Sequence, residues 1–466
     1  MTRASLPNTG VGAGRSPAWT PHRKDPLMST RRDFLRRAAL LSAASLATPL
    51  PLRAVQGGMA APPVPDSASP VPFPSSPFAS PNTSPREAAR DEPYWREIAR
   101  QYRVTDEVTN LEAGFFGTMP DPVLAAYQRN VDRVNRESSW FARTRFPAMA
   151  QEARQRTAAA LGVDADEIVF ARNATEALQT LIRQYNGVGP GDTVMYADLD
   201  YPAMQDAMRG LAARHGANLV TLDLPEPATR EGILETYREA LDAHPRTRFL
   251  LLTHANNKTG LIHPVRAIHE MAQARGVDTV VDAAHSFGQV PLDLRELGSP
   301  YVGVNLHKWV GAPVGVAAMV IRRDALGGID PAPGGPGGAG GPGAAGATDR
   351  IDTRIQVGTM DFATLMTVPD ALDFQDAIGV ERKAARLRYL RDTWAIPARE
   401  IEGVDILTPD DPELVGAITG FRLRGDGSRE GNAAVVRTLM EEFGIFTVAR
   451  SGLARGDCVE CHGITG

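Results

Sequence analysis

Residues 280–309 read VVDAAHSFGQVPLDLRELGSPYVGVNLHKW, and this stretch decides the fold class. The β-branched run Thr279–Val281 follows an apolar-periodic helical segment and predicts a buried parallel strand whose carboxyl end carries Asp282. A second apolar strand is predicted over Tyr301–Val304, shortly before Lys308. Because open α/β sheets bind ligands beyond the carboxyl ends of their strands, we expect Asp282 and Lys308 to face one crevice.

A carboxylate and a lysine in one crevice suit pyridoxal 5'-phosphate. The cofactor aldehyde forms a Schiff base with an amine, and its ring nitrogen must stay protonated to draw electrons. Lys308 would supply the amine, and Asp282 would pair with the ring nitrogen, since a buried carboxylate is costly without a cation. The alternative is a helix cap at Asp282 and a surface lysine at Lys308. His307 and Trp309, on either side of the lysine, argue against that coincidence.

The wider pattern predicts an α/β protein with two domains. Strands alternate with helices from about residue 168 to 322, which favours a mostly parallel sheet with helices on both faces. An amphipathic helical pattern over Pro369–Trp394 leads into a smaller α+β region with strands near 417–423 and 445–449. The expected division is an N-terminal segment (91–130), a large cofactor-binding domain (131–368) and a small, truncated C-terminal domain (369–466).

The chain resembles the class V aminotransferases, pyridoxal-phosphate enzymes of fold type I, and in particular their isopenicillin N epimerase-like branch. Six motifs in the family's order carry the resemblance: NLEAGFFGTMP (110–120), RNATEAL (172–178), DLDYPAM (198–204), HANNKTG (254–260), DAAHSFGQ (282–289) and NLHKW (305–309). It covers about residues 110–458. It implies a homodimer that acts on a small amino acid or amine through a Lys308 aldimine, as a transaminase (a transferase) or an epimerase (an isomerase).

The motif RNATEAL predicts an anion site. A strand over Glu167–Ala171 precedes a helix that begins at Ala174, and a helix N-terminus presents free N–H groups and a positive dipole end. An ordinary N-cap at Asn173 or Thr175 is the alternative. The resemblance implies that the backbone of Ala174 and the hydroxyl of Thr175 hold the cofactor phosphate.

The resemblance assigns further cofactor contacts. Tyr201 would lie over the cofactor ring and shield it from water, although a tyrosine before proline is also common in ordinary loops. Asn257 and His285 would approach the phenolic oxygen of the cofactor. His307, with Asn305 beside it, would reach the phosphate.

Gly358 and Thr359, in the segment RIQVGTMDFA (354–363), match a family pair that reaches the phosphate of the neighbouring subunit. If the match holds, the active site is shared across a homodimer. A simple turn is equally compatible with the sequence.

The N-terminal region 1–54 is predicted to be an export signal. STRRDFLRR (29–37) precedes the apolar run Ala38–Ala47, which is the order of a twin-arginine signal, with Met28 as a candidate start. The apolar run is too short for a lasting membrane span. The prediction is therefore export by the twin-arginine machinery to the periplasm or beyond, the route expected for proteins that load a cofactor first. A basic disordered tail is the alternative.

Two low-complexity tracts should not be part of the folded core. Residues 55–90, rich in Pro, Ser and Ala, are predicted to be a disordered linker, and residues 327–349, rich in Gly, Pro and Ala, a flexible surface insertion. The net charge of -5 provides no basic field for nucleic acid.

The C-terminus departs from the resemblance. After GLARGDC (452–458) the family continues with an arginine-bearing strand, and that arginine clamps the substrate carboxylate. Here the chain continues as CVECHGITG (458–466), with Glu460 where the arginine is expected. A glutamate would repel a carboxylate, which puts amino-acid recognition in doubt. Arg143 and Arg145 are candidates to substitute for the arginine, or are surface charges.

Cys458, Cys461 and His462 also form C-x-x-C-H, the attachment motif of haem c. Four residues follow His462, too few to enclose a haem, which favours a truncated or frame-shifted ending over a haem-bearing, non-catalytic fusion. A cysteine desulfurase or lyase on the same fold is the other alternative. Desulfurases use a mobile catalytic cysteine, and the chain's 2 cysteines are these terminal ones.

Overall fold

The computed structural model describes residues 83–112, 114–333 and 349–462. The helices in these ranges are α1 Pro85–Ala88, α2 Glu92–Ala99, α3 Asp121–Thr144, α4 Phe146–Leu161, α5 Ala174–Gln184, α6 Pro202–His215, α7 Arg230–Ala243, α8 Val265–Gln273, α9 Leu294–Leu297, α10 Phe362–Met366, α11 Val368–Ile378, α12 Val380–Ala398 and α13 Arg429–Phe443. The strands are β1 Thr109–Asn110, β2 Ile168–Ala171, β3 Thr193–Ala197, β4 Asn218–Leu222, β5 Thr247–Thr253, β6 Asp278–Asp282, β7 Tyr301–Asn305, β8 Ala317–Ile321, β9 Val404–Ile406, β10 Ile418–Leu423, β11 Ile445–Phe446, β12 Val448–Arg450 and β13 Cys458–His462.

A seven-stranded sheet in the order β2-β8-β7-β6-β5-β3-β4 forms the centre of the fold. The pairs among β3, β4, β5, β6 and β7 are all parallel, and β8 runs antiparallel to both of its neighbours. This confirms the predicted fold class, because α-helical crossovers connect most of the parallel strands.

The central sheet is buried on both faces. Side chains alternate along a strand, so Leu251 and Val280 pack into one apolar cluster while Leu252 and Val281 pack into the other. All four side chains are fully buried. The β-branched and leucine-rich runs of the sequence are therefore strands because each of their faces is covered by helices.

The carboxyl edge of this sheet positions the residues that the sequence singles out. Asp282 is the last residue of β6 and lies opposite Gly303 in β7. β7 ends at Asn305, so Lys308 lies just beyond the same edge. Both strands agree with the sequence prediction.

The C-terminal region contains a four-stranded antiparallel sheet in the order β12-β13-β10-β9. The amphipathic helical pattern over Pro369–Trp394 forms two helices, α11 and α12. They separate at Gly379, whose φ of 84° is left-handed and ends the first helix. A short parallel pair, β1 with β11, joins the N-terminal segment to this region.

Three predicted boundaries differ from the structure. Helix α3 runs across the division expected at residues 130 and 131. The segment predicted as a linker is ordered at its C-terminal end, where Ala88 and Ala89 are buried and Ala89 O accepts a bond of 2.9 Å from Arg386 Nη1. The predicted insertion begins with buried Ile329 and Ala332. The ends of both tracts belong to the folded part of the chain because their apolar side chains are buried in the core.

The predicted export signal, the linker up to residue 82 and the insertion over 334–348 lie outside the described residues. Among the residues that are described, no helix combines the length and apolar character that crossing a bilayer requires.

Candidate active site

The segment after β7 brings Lys308 over the edge of the sheet. A backbone hydrogen bond of 2.8 Å, from Gly117 N to His307 O, holds this segment in place. A Cβ on Gly117 would lie 1.9 Å from Lys308 O, so only glycine allows the two backbones to approach this closely. The NLEAGFFGTMP motif therefore contributes a backbone clamp on the lysine segment.

Lys308 is hydrogen-bonded to His285, which the sequence also predicted for the site. Lys308 Nζ lies 2.6 Å from His285 Nε2, and Trp309 Nε1 donates to His285 Nδ1 at 3.4 Å. A neutral imidazole has one donor and one acceptor nitrogen. Accepting at Nδ1 leaves the proton on Nε2, which can then donate to an uncharged Lys308 amine.

Burial favours the uncharged forms of both partners. It lowers the pKa of Lys308 from 10.5 to about 8, and the charge of Asp282 opposes that shift. Burial, reinforced by the nearby Lys308, lowers the pKa of His285 well below its usual value. A useful fraction of Lys308 is therefore free amine near neutral pH, the form that attacks an aldehyde.

Asp282 is buried at the end of β6 with one carboxylate oxygen engaged. Its Oδ1 accepts from Ala284 N at 3.0 Å, and the other oxygen has no hydrogen-bond partner among the described residues. Burial raises the pKa of Asp282, while Ala284 N–H and Lys308 oppose the shift. A buried carboxylate with one free oxygen suits a cationic partner.

The start of α5 meets the end of β7 at the place where the sequence predicts an anion site. Asn305 Oδ1 accepts from Ala174 N at 2.8 Å, and Asn173 caps the helix by accepting from Glu176 N at 2.8 Å. The N–H of Ala174, which was predicted to bind the cofactor phosphate, is therefore bonded to Asn305 within the chain. The N–H and hydroxyl of half-buried Thr175 have no intramolecular partner in the described ranges.

His307 lies beside this helix start with one nitrogen engaged. Its Nδ1 donates to Val316 O at 2.9 Å. Burial lowers the pKa of His307, and the bond to Val316 opposes the shift. The predicted phosphate ligands are thus at the same sheet edge as Lys308.

Tyr201 and Asn257 lie on neighbouring loops at this edge. Tyr201 precedes helix α6 and is 42% exposed, and Asn257 is half-buried in the loop after β5. Asn256, which the sequence analysis missed, ties the two loops together by donating from Nδ2 to Leu199 O at 2.6 Å. Its Oδ1 also accepts from Lys258 N at 2.8 Å. Asparagine at the turn after a strand was the available signal.

Four predicted residues lie at the surface of the chain or close to it. Gly358 and Thr359 are exposed, and a Cβ added at Gly358 would meet no atom within 4 Å beyond its chain neighbours. Arg143 is exposed, while Arg145 is half-buried and pairs with Glu137 at 3.4 Å. The structure thus places Arg143 at the surface and pairs Arg145 with a carboxylate.

The C-x-x-C-H motif is part of buried strand β13. Because side chains alternate along a strand, Cys458 and Cys461 lie on opposite faces, which does not suit attachment of one haem to both sulfurs. Cys458 Sγ donates to Lys258 O at 3.4 Å. Cys461 instead lines an apolar cavity of about 830 Å³ together with Trp394 and Phe421.

His462 belongs to the neighbourhood of Lys308. Its Nδ1 accepts from Gly114 N at 2.7 Å and its Nε2 bonds to Glu460. Its ring lies 5.8 Å from that of Trp309 and 6.5 Å from that of His285, measured between centroids. Within the described ranges no group of His, Cys, Asp and Glu side chains has a geometry that could hold a metal ion.

Glu460, which the sequence analysis expected to repel a substrate carboxylate, has a cationic partner that the analysis did not identify. Strand β12 pairs with β13, and Arg450 at its end forms an ion pair with the fully buried Glu460. Arg450 Nη2 also donates to Glu112 Oε1 at 3.0 Å. Arg450 was missed because its position depends on the hairpin register. Pairing the strand predicted near 445–449 with the terminal strand would have placed Arg450 close to Glu460.

Comparison with known proteins identifies the family. A sequence profile described as Aminotransferase class-V matches residues 118–454. Isopenicillin N epimerase of Amycolatopsis lactamdurans is 31% identical over 345 residues, 71% of this chain and 84% of that enzyme. A cysteine desulfurase of Pectobacterium atrosepticum is 26% identical over 308 residues, 62% of this chain and 74% of that enzyme.

A solved structure supports the same fold. A C-DES variant with glycine covalently linked to its PLP cofactor aligns with a TM-score of 0.67 and 23% identity, over 79% of this chain and 95% of that one. The chain belongs to the class-V aminotransferase family, whose members depend on pyridoxal 5'-phosphate.

The residues of the site fit this cofactor. A primary amine with a lowered pKa, a buried carboxylate with a free oxygen and a helix N-terminus with free donors meet at one sheet edge. The amine suits the cofactor aldehyde, the carboxylate suits the protonated ring nitrogen, and the helix N-terminus suits the phosphate.

Proposed function

We propose that this protein is a pyridoxal-phosphate-dependent enzyme that moves the proton on the carbon bearing the nitrogen of a small amino substrate, in a transamination or an epimerisation. The contact of 2.6 Å between Lys308 Nζ and His285 Nε2, at the strand edge that carries Asp282, is the observation on which it rests. Likeness to isopenicillin N epimerase, whose name describes such a reaction, supports this choice.

When bound, pyridoxal 5'-phosphate supplies an aldehyde that captures a primary amine and a ring that accepts electrons from the neighbouring carbon. Asp282 would hold a proton at the ring nitrogen through its free carboxylate oxygen. Thr175, Asn305 and His307 would hold the phosphate. Asn257 and His285 would reach the phenolic oxygen, and Tyr201 would cover the ring and exclude water.

Lys308 would carry the cofactor and move the substrate proton. Its amine is buried with a pKa of about 8, so near neutral pH part of it is free amine that can accept a proton. His285 Nε2 is within hydrogen-bond distance and can exchange a proton with Lys308 Nζ. A general base with a pKa close to the working pH is effective in both directions of transfer.

The two cysteines argue against desulfuration. Cys458 and Cys461 are buried in a strand, and burial raises the pKa of each thiol to about 12. A sulfur-accepting cysteine must be an accessible thiolate. This disfavours a desulfurase mechanism on the same fold.

The proposal predicts that the cofactor is attached at Lys308. The purified protein should gain a visible absorption band with pyridoxal 5'-phosphate, and borohydride reduction should fix the pyridoxyl group to Lys308 in peptide mass spectra. The described residues contain only two other lysines, Lys258 and Lys383, so peptide mass spectra can tell which lysine carries the label. Lys308→Ala should lose the band and the label.

Two results would contradict this assignment. One is labelling at Lys258 or Lys383, and the other is an unchanged band in Lys308→Ala. A Soret band that survives acid-acetone extraction would instead indicate covalent haem at Cys458 and Cys461.

We also propose export by the twin-arginine route, based on the STRRDFLRR sequence at 29–37. Replacing Arg31 and Arg32 by lysine keeps the charge but removes the paired guanidinium groups. The variant should accumulate inside the cell while the wild type is found outside the cytoplasm, as measured by immunoblotting of cell fractions. Equal distribution of both proteins would contradict the proposal.

A further inference from the structure

The carboxylates around Arg450 bear on which substrate this site accepts. On the basis of the proposed function, we infer that the substrate is a primary amine that carries no carboxylate on the carbon bearing the nitrogen. The inference rests on the contacts of Arg450, Glu460, Glu112 and His462 and on their position beside Lys308.

The donors of Arg450 are largely taken. Its Nε is ion-paired with Glu460 Oε2, and its Nη2 donates to Glu112 Oε1 at 3.0 Å. Only Nη1 has no carboxylate partner among the described residues. A substrate carboxylate held by an arginine normally uses two adjacent N–H groups at once. A substrate carboxylate could bind Arg450 in this way only after Glu460 or Glu112 had broken its contact with the guanidinium.

The charges of this cluster are unfavourable for an additional anion. Burial opposes ionisation of Glu460, but His462 and Arg450 outweigh it and lower the pKa of Glu460. Burial raises the pKa of Glu112, and Arg450 opposes that shift. His462 accepts at Nδ1 from Gly114 N–H and bonds through Nε2 to Glu460, which Arg450 already pairs. Two carboxylates therefore face one guanidinium.

The cluster is close enough to Lys308 to act on its substrate. Burial dominates the lowered pKa of Lys308, and Glu460, Arg450 and Glu112 all contribute to its electrostatics. The ring of His462 lies 6.5 Å from the ring of His285, which bonds to Lys308. We therefore infer that the substituents of the reacting carbon lie beside this cluster, which favours neutral or cationic substituents over a carboxylate.

Matched ligand pairs test the inference directly on the holoenzyme. Ethylamine and L-alanine differ by the carboxylate, as do phenethylamine and L-phenylalanine. Spectral titration of the bound cofactor, recorded immediately after mixing and with no second substrate, gives an apparent dissociation constant for each ligand. We expect the amine of each pair to bind at least about tenfold more tightly. Equal or tighter binding of the amino acids would overturn the inference.

Two variants locate the cause of the preference. Glu460→Gln and Glu112→Gln keep the shape of the side chain and remove its charge, so each should lower the ratio of amine to amino-acid affinity. Glu442→Gln makes the same chemical change at an exposed position of α13 and should leave the ratio unchanged. If Glu460→Gln fails to fold, Glu112→Gln and the wild-type ligand pairs still decide the question.

Failure of this inference is distinguishable from failure of the proposed function. If the protein takes up no cofactor, or Lys308→Ala takes it up equally well, the proposed function is wrong. If the cofactor binds at Lys308 but amino acids bind as well as amines, only the inference about the substrate is wrong.

Discussion

At the scale of single residues, the reactivity of Lys308 depends on a hydrogen bond made by its neighbour in sequence. Trp309 Nε1 donates to His285 Nδ1 at 3.4 Å, which directs the proton of the imidazole to Nε2 and toward the lysine amine. The tryptophan is therefore a positioning residue. It acts on the lysine through the histidine tautomer.

Replacing Trp309 with phenylalanine should raise the pKa of Lys308 above about 8. Without the indole donor, His285 can carry its proton on Nδ1 and accept from a charged Lys308 at Nε2, which stabilises the ammonium form. Capture of the cofactor aldehyde needs the free amine, so its rate rises as pH passes the pKa of the lysine. Stopped-flow absorbance of apoprotein mixed with pyridoxal 5'-phosphate should show this rise at higher pH in the variant.

Trp394→Phe is the matched control for this measurement, because Trp394 lines the apolar cavity with its ring against Phe421 and not against His285. Its pH profile should follow that of the wild type. Superimposed profiles for all three proteins would show that the indole N–H has no influence on the lysine.

At the scale of elements, helices α11 and α12 hold the chain that follows Lys308. Gln375 Nε2, from α11, donates to Val310 O at 2.9 Å. Lys383, from α12, donates to Trp309 O and, at 2.8 Å, to Gln375 Oε1. Burial lowers the pKa of Lys383 from 10.5 to about 7, and no carboxylate pairs with it among the described residues. The fold thus uses the buried amine of Lys383 to fix the backbone beside Lys308.

Lys383→Met should reduce the dependence of stability on pH. Between its folded pKa of about 7 and its unfolded value of 10.5, Lys383 binds fewer protons in the folded protein, so stability rises with pH there. Removing the amine removes this contribution, which is about 1.4 kcal/mol per pH unit at most. Urea unfolding at about pH 7.5 and about pH 8.5 measures the difference.

Gln375→Met provides the control for the Lys383 prediction. It breaks the same clamp but removes no titratable group, so its stability should change with pH as in the wild type. Parallel pH dependence in Lys383→Met would show that the amine is not held in the low-pKa state.

The sequence predicts the elements of the large sheet better than the small domain. β6, β7 and the start of α5 follow from β-branched runs and from Asn173 before the helix, which are local signals. The ion pairs of Arg450 depend on the β12–β13 register and on Glu112, which lies 338 residues earlier in the chain. No local pattern specifies such contacts. The C-x-x-C-H motif shows the same limit, since spacing alone does not distinguish a strand such as β13 from an attachment loop.

At the scale of the whole molecule, exposed aromatic rings lie near the active site. Phe115 and Phe116 are 68% and 50% exposed, with their centroids 5.7 Å apart, and they precede Gly117, which clamps the lysine segment. Adjacent exposed aromatics of this size are typical of a surface that contacts another chain. We propose that the protein is a homodimer in which Gly358 and Thr359 of one subunit reach the phosphate site of the other.

Subunit complementation tests this arrangement. Thr359→Glu would place a negative charge near the phosphate and Lys308→Ala removes the amine, so each homodimer should be inactive. A heterodimer of the two variants contains one site with both an intact Lys308 and an intact Thr359, because these residues come from different subunits. Co-expression should therefore restore part of the activity, whereas the purified variants mixed without subunit exchange should stay inactive. Full activity of Thr359→Glu alone, or a monomeric mass in light scattering, would contradict the shared site.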